Sequence, residues 1–198
     1  GHRVVPARSL PHAPQSSVVT DASIVAAHGT EGEATYIGPA NSNWQYRKGE
    51  SNNPPDDGAG NSWMDPGYDT SADNVSWVLG AQTPIGYGDD DDNTVLGDMD
   101  GNYSSVYLRN TFLIPDQTPG NDVPSQLTLR LYVDDGCIAY LNGNEVAREF
   151  TSDGMKNYDS TTGENSHESS WITLTVNAAQ AGLVRRFPST SRGSFAVR

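Results

Sequence analysis

Acidic side chains crowd two neighbouring stretches in the middle of the chain. Four consecutive aspartates are followed shortly by two more, and together they are Asp89, Asp90, Asp91, Asp92, Asp98 and Asp100. Carboxylates held close together repel one another, and a hard cation that prefers oxygen ligands relieves that repulsion. The pattern indicates a metal site with calcium as the candidate cofactor. The alternative is a solvated acidic loop that binds no cation.

The second of these stretches begins like an EF-hand loop but does not continue as one. Asp98, Asp100 and Asn102 occupy the first, third and fifth positions. The sixth position, which needs glycine for a sharp turn, is Tyr103, and the twelfth, which should be a bidentate glutamate, is Arg109. A calcium ion at this stretch would therefore need a different geometry.

Aromatic residues in the first half of the chain are set among Gly, Pro, Asn and Asp. We predict that Trp63, Tyr68 and Tyr87 bind a ligand, because exposed rings can stack on sugar faces while neighbouring polar groups bind hydroxyls. The alternative is a small satellite core beneath long loops. For Trp44 and Trp77, core packing is the favoured interpretation.

Catalytic patterns find little support in the sequence. A Gly-x-Ser-x-Gly elbow is absent, and no pair of carboxylates stands out as a glycosidase pair. The single cysteine, Cys137, excludes an internal disulfide, and four dispersed histidines argue against zinc. We expect a protein that is not an enzyme.

Charge and hydropathy restrict the partners. The net charge is −13 and the sequence pI is about 4.4, which argues against nucleic acid as a partner. No apolar run approaches the roughly 18 residues that a membrane-spanning helix needs. All 25 acidic residues lie between Asp21 and Glu168, so the C-terminal end is basic.

The elements that must position these residues are short strands. Period-two alternation or apolar runs predict strands at 17–27, 74–79, 105–114, 127–133, 137–141, 144–150 and 171–176. Two turns join the central strands, at Asp134-Asp135-Gly136 and at Asn142-Gly143, and the second pair is typical of a type I′ hairpin. For Asp134 and Asp135, binding to turn amides is weighed against binding of calcium or a sugar hydroxyl. The pattern predicts an all-β fold, a β-sandwich or jelly roll with long loops.

Several motifs between residues 44 and 176 occur in the order found in one family of secreted domains. They are Trp44 to Gly49, Trp77 with Gly80, Gly86-Tyr87-Gly88, Tyr107 with Arg109 and Phe112, Asp134-Asp135-Gly136, Tyr140 to Gly143, and Glu145 to Arg148. In this the chain resembles the galactose-binding-like jelly rolls of large secreted bacterial multidomain proteins, notably those of planctomycetes. The resemblance implies an extracellular or cell-surface location and a fold similar to that of sugar-binding modules.

The ends of the chain lead to a second hypothesis. We divide the chain into an N-terminal arm with one strand (1–27), a β-sandwich domain (28–182) and a basic C-terminal tail (183–198). The family's last strand would be apolar, whereas here Gly182 is followed by Leu-Val-Arg-Arg-Phe-Pro. The first hypothesis is a carbohydrate- or surface-binding accessory module whose partner is a polysaccharide or cell-surface glycan. The alternative is a subunit of a self-assembling extracellular filament or cell-surface structure, held by exchange of the terminal strand.

Overall fold

Twelve strands and no helix make up the described part of the chain in a computed structural model. The structure describes residues 18–28, 32–38, 43–72, 75–88, 91–114, 124–154, 156–161, 169–183 and 191–197. The strands are β1 (Val18–His28), β2 (Gly32–Ile37), β3 (Trp44–Lys48), β4 (Val78–Ala81), β5 (Ile85–Gly86), β6 (Thr94–Val95), β7 (Val106–Ile114), β8 (Gln126–Asp134), β9 (Cys137–Leu141), β10 (Asn144–Glu149), β11 (Ser170–Asn177) and β12 (Ser191–Val197). The predicted all-β sandwich is confirmed.

Two antiparallel sheets form the body of the molecule. One has four strands in the order β11-β8-β1-β2, and the other has six in the order β10-β9-β12-β7-β3-β4. A short parallel pair, β5 and β6, forms a third sheet of its own. Among the described residues there is no helix of the length and apolarity that crossing a membrane requires.

Alternation along β8 shows how the main core is built. Leu127, Leu129, Leu131 and Val133 are buried, as the period-two pattern predicts, while the residues between them are wholly or partly exposed. They share a hydrophobic cluster with inward residues of the six-stranded sheet, such as Leu108 of β7. The two sheets therefore enclose one core between them.

The six-stranded sheet is covered on its other face as well. All five residues of β9 are buried, because Cys137, Ala139 and Leu141 face the main core while Ile138 and Tyr140 belong to a second cluster. The rest of that cluster comes from the segment between β3 and β4 and from β7 and β12; its other buried members are Trp63, Tyr68, Val75, Trp77, Tyr107 and Ala196. We call this the outer cluster.

Both predicted turns are present. Asp135 has a positive φ of 63°, and the Gly136 amide donates to the Asp134 carbonyl at 3.0 Å. Asn142 and Gly143 have φ values of 50° and 82°, the pair of positive angles that a type I′ turn needs. The Asn-Gly turn joins β9 to β10 as an antiparallel hairpin.

Both end segments contribute a strand to the sandwich. The strand predicted at 17–27 is β1, which lies between β8 and β2 of its own chain. The segment 183–198, predicted as a basic tail, contains β12, which lies between β7 and β9 in the six-stranded sheet. Residues 1–17 lie outside the described residues.

Candidate functional site

Trp63 and Tyr68, two of the three residues predicted to bind a ligand, are buried in the outer cluster. Their exposed fractions are 8% and 6%. The Trp63 ring packs edge-on against Tyr107 and Tyr140, with centroids 5.1 and 5.6 Å apart. The expectation that these two rings are exposed is wrong, because the long loop folds onto the six-stranded sheet and uses them as packing residues.

Tyr68 is held by hydrogen bonds as well as by packing. Its hydroxyl donates to the Pro55 carbonyl at 2.9 Å and accepts from the Trp77 indole at 3.2 Å. Burial raises the pKa of Tyr68, so the phenol stays neutral and can donate. These bonds satisfy the polar end of a buried ring.

Arg109 fixes the loop to the sheet beneath it. Its guanidinium donates to the backbone carbonyls of Trp63 and Asp65, the latter at 3.0 Å, and lies 5.2 Å from the centre of the Tyr68 ring. Burial lowers the pKa of Arg109 to about 10. The arginine remains charged near neutral pH, so each of these hydrogen bonds is assisted by its charge.

Asp57 organises the start of the same loop. Its carboxylate accepts backbone amides of Ala59 (2.9 Å), Asn61 (3.1 Å) and Asp69 (3.0 Å), and it also accepts the Asn61 side-chain amide at 2.9 Å. These bonds, led by the Asn61 side chain, hold the pKa of Asp57 well below its ordinary value. This carboxylate therefore supports the loop from within.

The four described residues among the predicted calcium ligands do not form a cluster. Asp89 and Asp90 lie outside the described residues. Asp91 and Asp100 are exposed, while the Asp92 carboxylate packs against Gly86, where an added Cβ would lie 2.9 Å from its Oδ1. In the described part of the chain, no three His, Cys, Asp or Glu side chains converge where they could hold a metal. Calcium stays a prediction.

Asp98 is engaged by a cation of the protein itself. The Lys48 ammonium contacts its carboxylate, and the Tyr103 hydroxyl donates to it at 3.0 Å. The lysine contact is the main reason that the pKa of Asp98 is lowered, and burial raises the pKa of Tyr103. Lys48 also lies 5.5 Å from the centre of the Tyr103 ring. This network fixes the tyrosine in one orientation.

Tyr87, the third predicted residue, lines a cleft of about 260 Å³. Its ring-bearing lining residues are Tyr87, Tyr103 and Tyr158, and its polar ones include Glu50, Asn102 and Asp159. We call this the tyrosine cleft. It unites Tyr87 with residues from three other segments of the chain, so its composition depends on contacts that are remote in sequence.

Gly49, at the end of β3, sets one wall of the cleft. A Cβ at this position would lie 2.2 Å from Ser105 Oγ and 2.8 Å from the Tyr158 carbonyl oxygen. Without it, the Gly49 amide donates to the Ser105 carbonyl at 2.9 Å, and the Ser105 hydroxyl donates to the Tyr158 carbonyl. The close approach brings Tyr158 and Asp159 to the side of the cleft.

A tight turn sets another wall of the cleft. The amides of Asn102 and Tyr103 donate to the Met99 carbonyl at 3.0 and 3.3 Å, and the Asn102 side-chain amide donates to the Asp98 carbonyl at 2.8 Å. Gly101 has a positive φ of 73°, which glycine adopts without steric cost. Met99 is buried beneath the turn and anchors it.

Rings and hydrogen-bonding groups that line one small cleft suit a ligand with apolar faces and hydroxyl edges. Tyrosine supplies flat apolar surface and a phenol, and the carboxylates accept hydrogen bonds from hydroxyls. Tyr103, Tyr158 and Asp159 were not predicted as site residues. The only local signal was the glycine at position 49, and the residues that it touches cannot be read from the sequence.

No protein-family model matches the chain, and no curated protein or solved structure is significantly similar to it.

Proposed function

We propose that this chain is a non-enzymatic, extracellular carbohydrate-binding module that holds a small neutral sugar unit in the tyrosine cleft. The observation that carries the proposal is the convergence of the partly exposed Tyr87 and Tyr158 with hydrogen-bonding side chains around about 260 Å³ of space, to which the buried Tyr103 contributes a wall rather than a free ring. That volume lies just below the roughly 300–1,000 Å³ typical of drug-sized pockets, so it suits a terminal sugar or a disaccharide.

Charge supports a neutral ligand. The chain has a net charge of −13, and the cleft itself carries Glu50 and Asp159. Uronic or sulfated sugars would meet like charge both at long range and at the cleft, which slows their approach and weakens their binding. A neutral sugar instead presents hydroxyl donors to these carboxylates.

The setting of the acids favours binding over hydrolysis. Glycosidases use paired carboxyl groups, one of which is kept protonated by an apolar environment. Glu50 and Asp159 are both exposed, and Glu50 lies 4.0 Å from the Lys48 ammonium. Exposed carboxylates of this kind are better suited to accept hydrogen bonds from sugar hydroxyls than to act as the proton donor of a glycosidase.

A glycan array followed by calorimetry tests the proposal. The array identifies oligosaccharide ligands, and titration then compares the wild type with Tyr87→Ala, Tyr87→Phe and the control Leu113→Ala, which truncates an exposed apolar side chain on β7. We expect about tenfold weaker binding for Tyr87→Ala and a smaller change for Tyr87→Phe, which keeps the ring. Absence of any glycan ligand, or unchanged affinity in Tyr87→Ala, would refute the proposal.

A second candidate function is a self-assembling extracellular subunit held by exchange of the terminal strand. It is favoured by the position of β1, a terminal strand inserted between β8 and β2. If β1 of a second copy took the same place, every pairing would be kept while two molecules became linked. Deletion of residues 1–27 would remove nearly all of β1, so it would damage the four-stranded sheet as well as any exchange.

Exchange is better tested on the intact chain. Light scattering over a range of concentrations should give a mass that rises from monomer to oligomer if strands exchange. Cysteine pairs introduced at Val25 and Thr128, which face each other across β1 and β8, would lock either arrangement by a disulfide. Crosslinked monomer alone at every concentration would rule out exchange.

A further inference from the structure

Two aromatic side chains and an arginine form a platform on the solvent face of the four-stranded sheet. Trp171 of β11 lies directly opposite Tyr132 of β8, with ring centroids 5.3 Å apart and planes inclined at 48°. The Arg130 guanidinium lies 4.7 Å from the centre of the Trp171 ring. We call Arg130, Tyr132 and Trp171 the outer platform. It shares no residue with the tyrosine cleft.

Trp171 differs from the other tryptophans of the chain in its exposure. It is 44% exposed, whereas Trp44, Trp63 and Trp77 are buried. A single exposed apolar side chain is ordinary on protein surfaces. Here, however, the indole contacts both Tyr132 and Arg130 of β8, so its orientation is set before any ligand arrives and little side-chain entropy remains to be lost.

Hydroxyl groups continue the platform along the sheet. Thr173 lies opposite Arg130, and Thr175 lies opposite Thr128. Trp171, Thr173 and Thr175 follow one another at alternate positions of β11, so they span about 13 Å on the same face. The Tyr132 hydroxyl donates to Ser169 Oγ at 3.0 Å at one end of this row. The face therefore offers a flat ring followed by hydrogen-bonding groups.

We propose that the outer platform binds the face of an extended, neutral polysaccharide chain. The exposed indole stacks on the apolar face of one sugar ring, and the threonine hydroxyls bind the hydroxyls of its neighbours. The net charge of −13 disfavours an acidic polymer, while Arg130 is engaged with the indole. The inference rests on the proposed function for its ligand class and on different residues for its site.

Cross-strand aromatic pairs also stabilise sheets without binding anything. That interpretation predicts a loss of stability in Trp171→Ala and no change in the binding of any polymer. Affinity electrophoresis separates the two, because this acidic protein migrates well in a native gel. The gels contain hydroxyethyl cellulose, xyloglucan, galactomannan or laminarin, and the variants are Trp171→Ala, Trp171→Phe and the control Leu113→Ala.

We expect at least one polymer to retard the wild type. Retardation should be about tenfold weaker in Trp171→Ala and largely kept in Trp171→Phe and in the control Leu113→Ala. No retardation of the wild type by any of the four, or equal retardation of Trp171→Ala, overturns the inference. Failure of the cleft proposal looks different, because it would appear as unchanged oligosaccharide binding in Tyr87→Ala.

Acrylamide quenching of the wild type is a second measurement that does not depend on a variant. Trp171 should dominate the quenchable tryptophan fluorescence, and a bound polymer should reduce its quenching severalfold. Unchanged quenching at saturating polymer would overturn the inference. A drop in the mass of the protein in solution on Trp171→Ala, with polymer binding intact, would assign the face to a protein contact instead.

Discussion

Arg109 offers the sharpest test of how the long loop is held on the six-stranded sheet. It is 1% exposed and donates to the carbonyls of Trp63 and Asp65. Arg109→Met keeps most of the apolar stem and removes both donors. The two carbonyls then lie beneath the loop without a strong partner, and the Tyr68 ring loses its cation.

The expected cost follows from these contacts. A hydrogen bond to a charged group contributes about 1.5–3 kcal/mol, and a buried cation over a ring adds up to about 2 kcal/mol. Removing the buried charge recovers part of this sum, because the desolvation penalty of the guanidinium disappears. We expect Arg109→Met to lower the free energy of unfolding by about 3 kcal/mol. Arg109→Lys should cost less, since one ammonium can replace the cation but not the two-armed geometry.

Urea unfolding followed by both circular dichroism and tryptophan fluorescence measures this cost. Arg130→Met on the exposed sheet face is the matched control, and we expect it to change stability by no more than about 1 kcal/mol. A loss below about 1 kcal/mol in Arg109→Met would refute the reasoning. If Arg109→Lys is as stable as the wild type, the positive charge matters and the two-armed geometry of the guanidinium does not.

Three further perturbations test the cleft, the acid-sensitive loop and calcium. Gly49→Ala should lower the free energy of unfolding by about 1–3 kcal/mol and weaken binding in the cleft, because the added Cβ meets Ser105 and Tyr158. The control Gly97→Ala should do neither, since an added Cβ there has nothing within 4 Å. Equal melting temperatures of the two variants in calorimetry would contradict this prediction. Folding lowers the pKa values of Asp57 and Asp98, so the stability that these carboxylates contribute is present above about pH 4 and is lost as the pH falls through their folded pKa values. Between pH 6 and pH 2, the urea midpoint of Asp57→Asn should therefore fall less steeply than that of the wild type. Parallel curves for the two proteins would contradict the assigned role of Asp57. If the acidic stretch binds calcium, the melting temperature should be higher in calcium than in chelator. At a calcium concentration a hundredfold above Kd, binding adds about 2.7 kcal/mol to the free energy of unfolding. Identical melting temperatures would exclude a stabilising calcium ion.

The strands that the sequence predicts well are those whose determinants are local. β8 alternates over nine residues, so its buried face can be read directly. The β9–β10 hairpin is specified by Asn142-Gly143, because few other residue pairs accept positive φ at both positions. Here the local pattern and the tertiary environment agree.

Other features depend on contacts that no local pattern encodes. Trp63 and Tyr68 lie among Gly, Pro and Asp, which suggests an exposed loop, yet Arg109 draws that loop onto the sheet. β12 carries arginine and serine in its first half and still lies in the six-stranded sheet, because β7 pairs with its whole length and β9 pairs with its apolar second half. Tyr158 reaches the cleft through the one close approach that Gly49 allows.

The covering of the two sheets explains where binding surfaces remain. The six-stranded sheet carries the main core on one face and the outer cluster on the other, so much of its area is used for folding. On β8 and β11 the four-stranded sheet keeps an exposed outer face, and a β11 residue there cannot turn inward without a register slip that would expose Ile172 and Leu174. Trp171 is thus exposed because Ile172 and Leu174 of the same strand pack against the core. Conversely, a tyrosine such as Tyr87 is only half-buried because it lines a cleft between loops that are each anchored elsewhere. The aromatic residues that loop composition predicts as ligand-binding are therefore largely different from those that remain accessible in the fold. Only the accessible rings can contact a sugar.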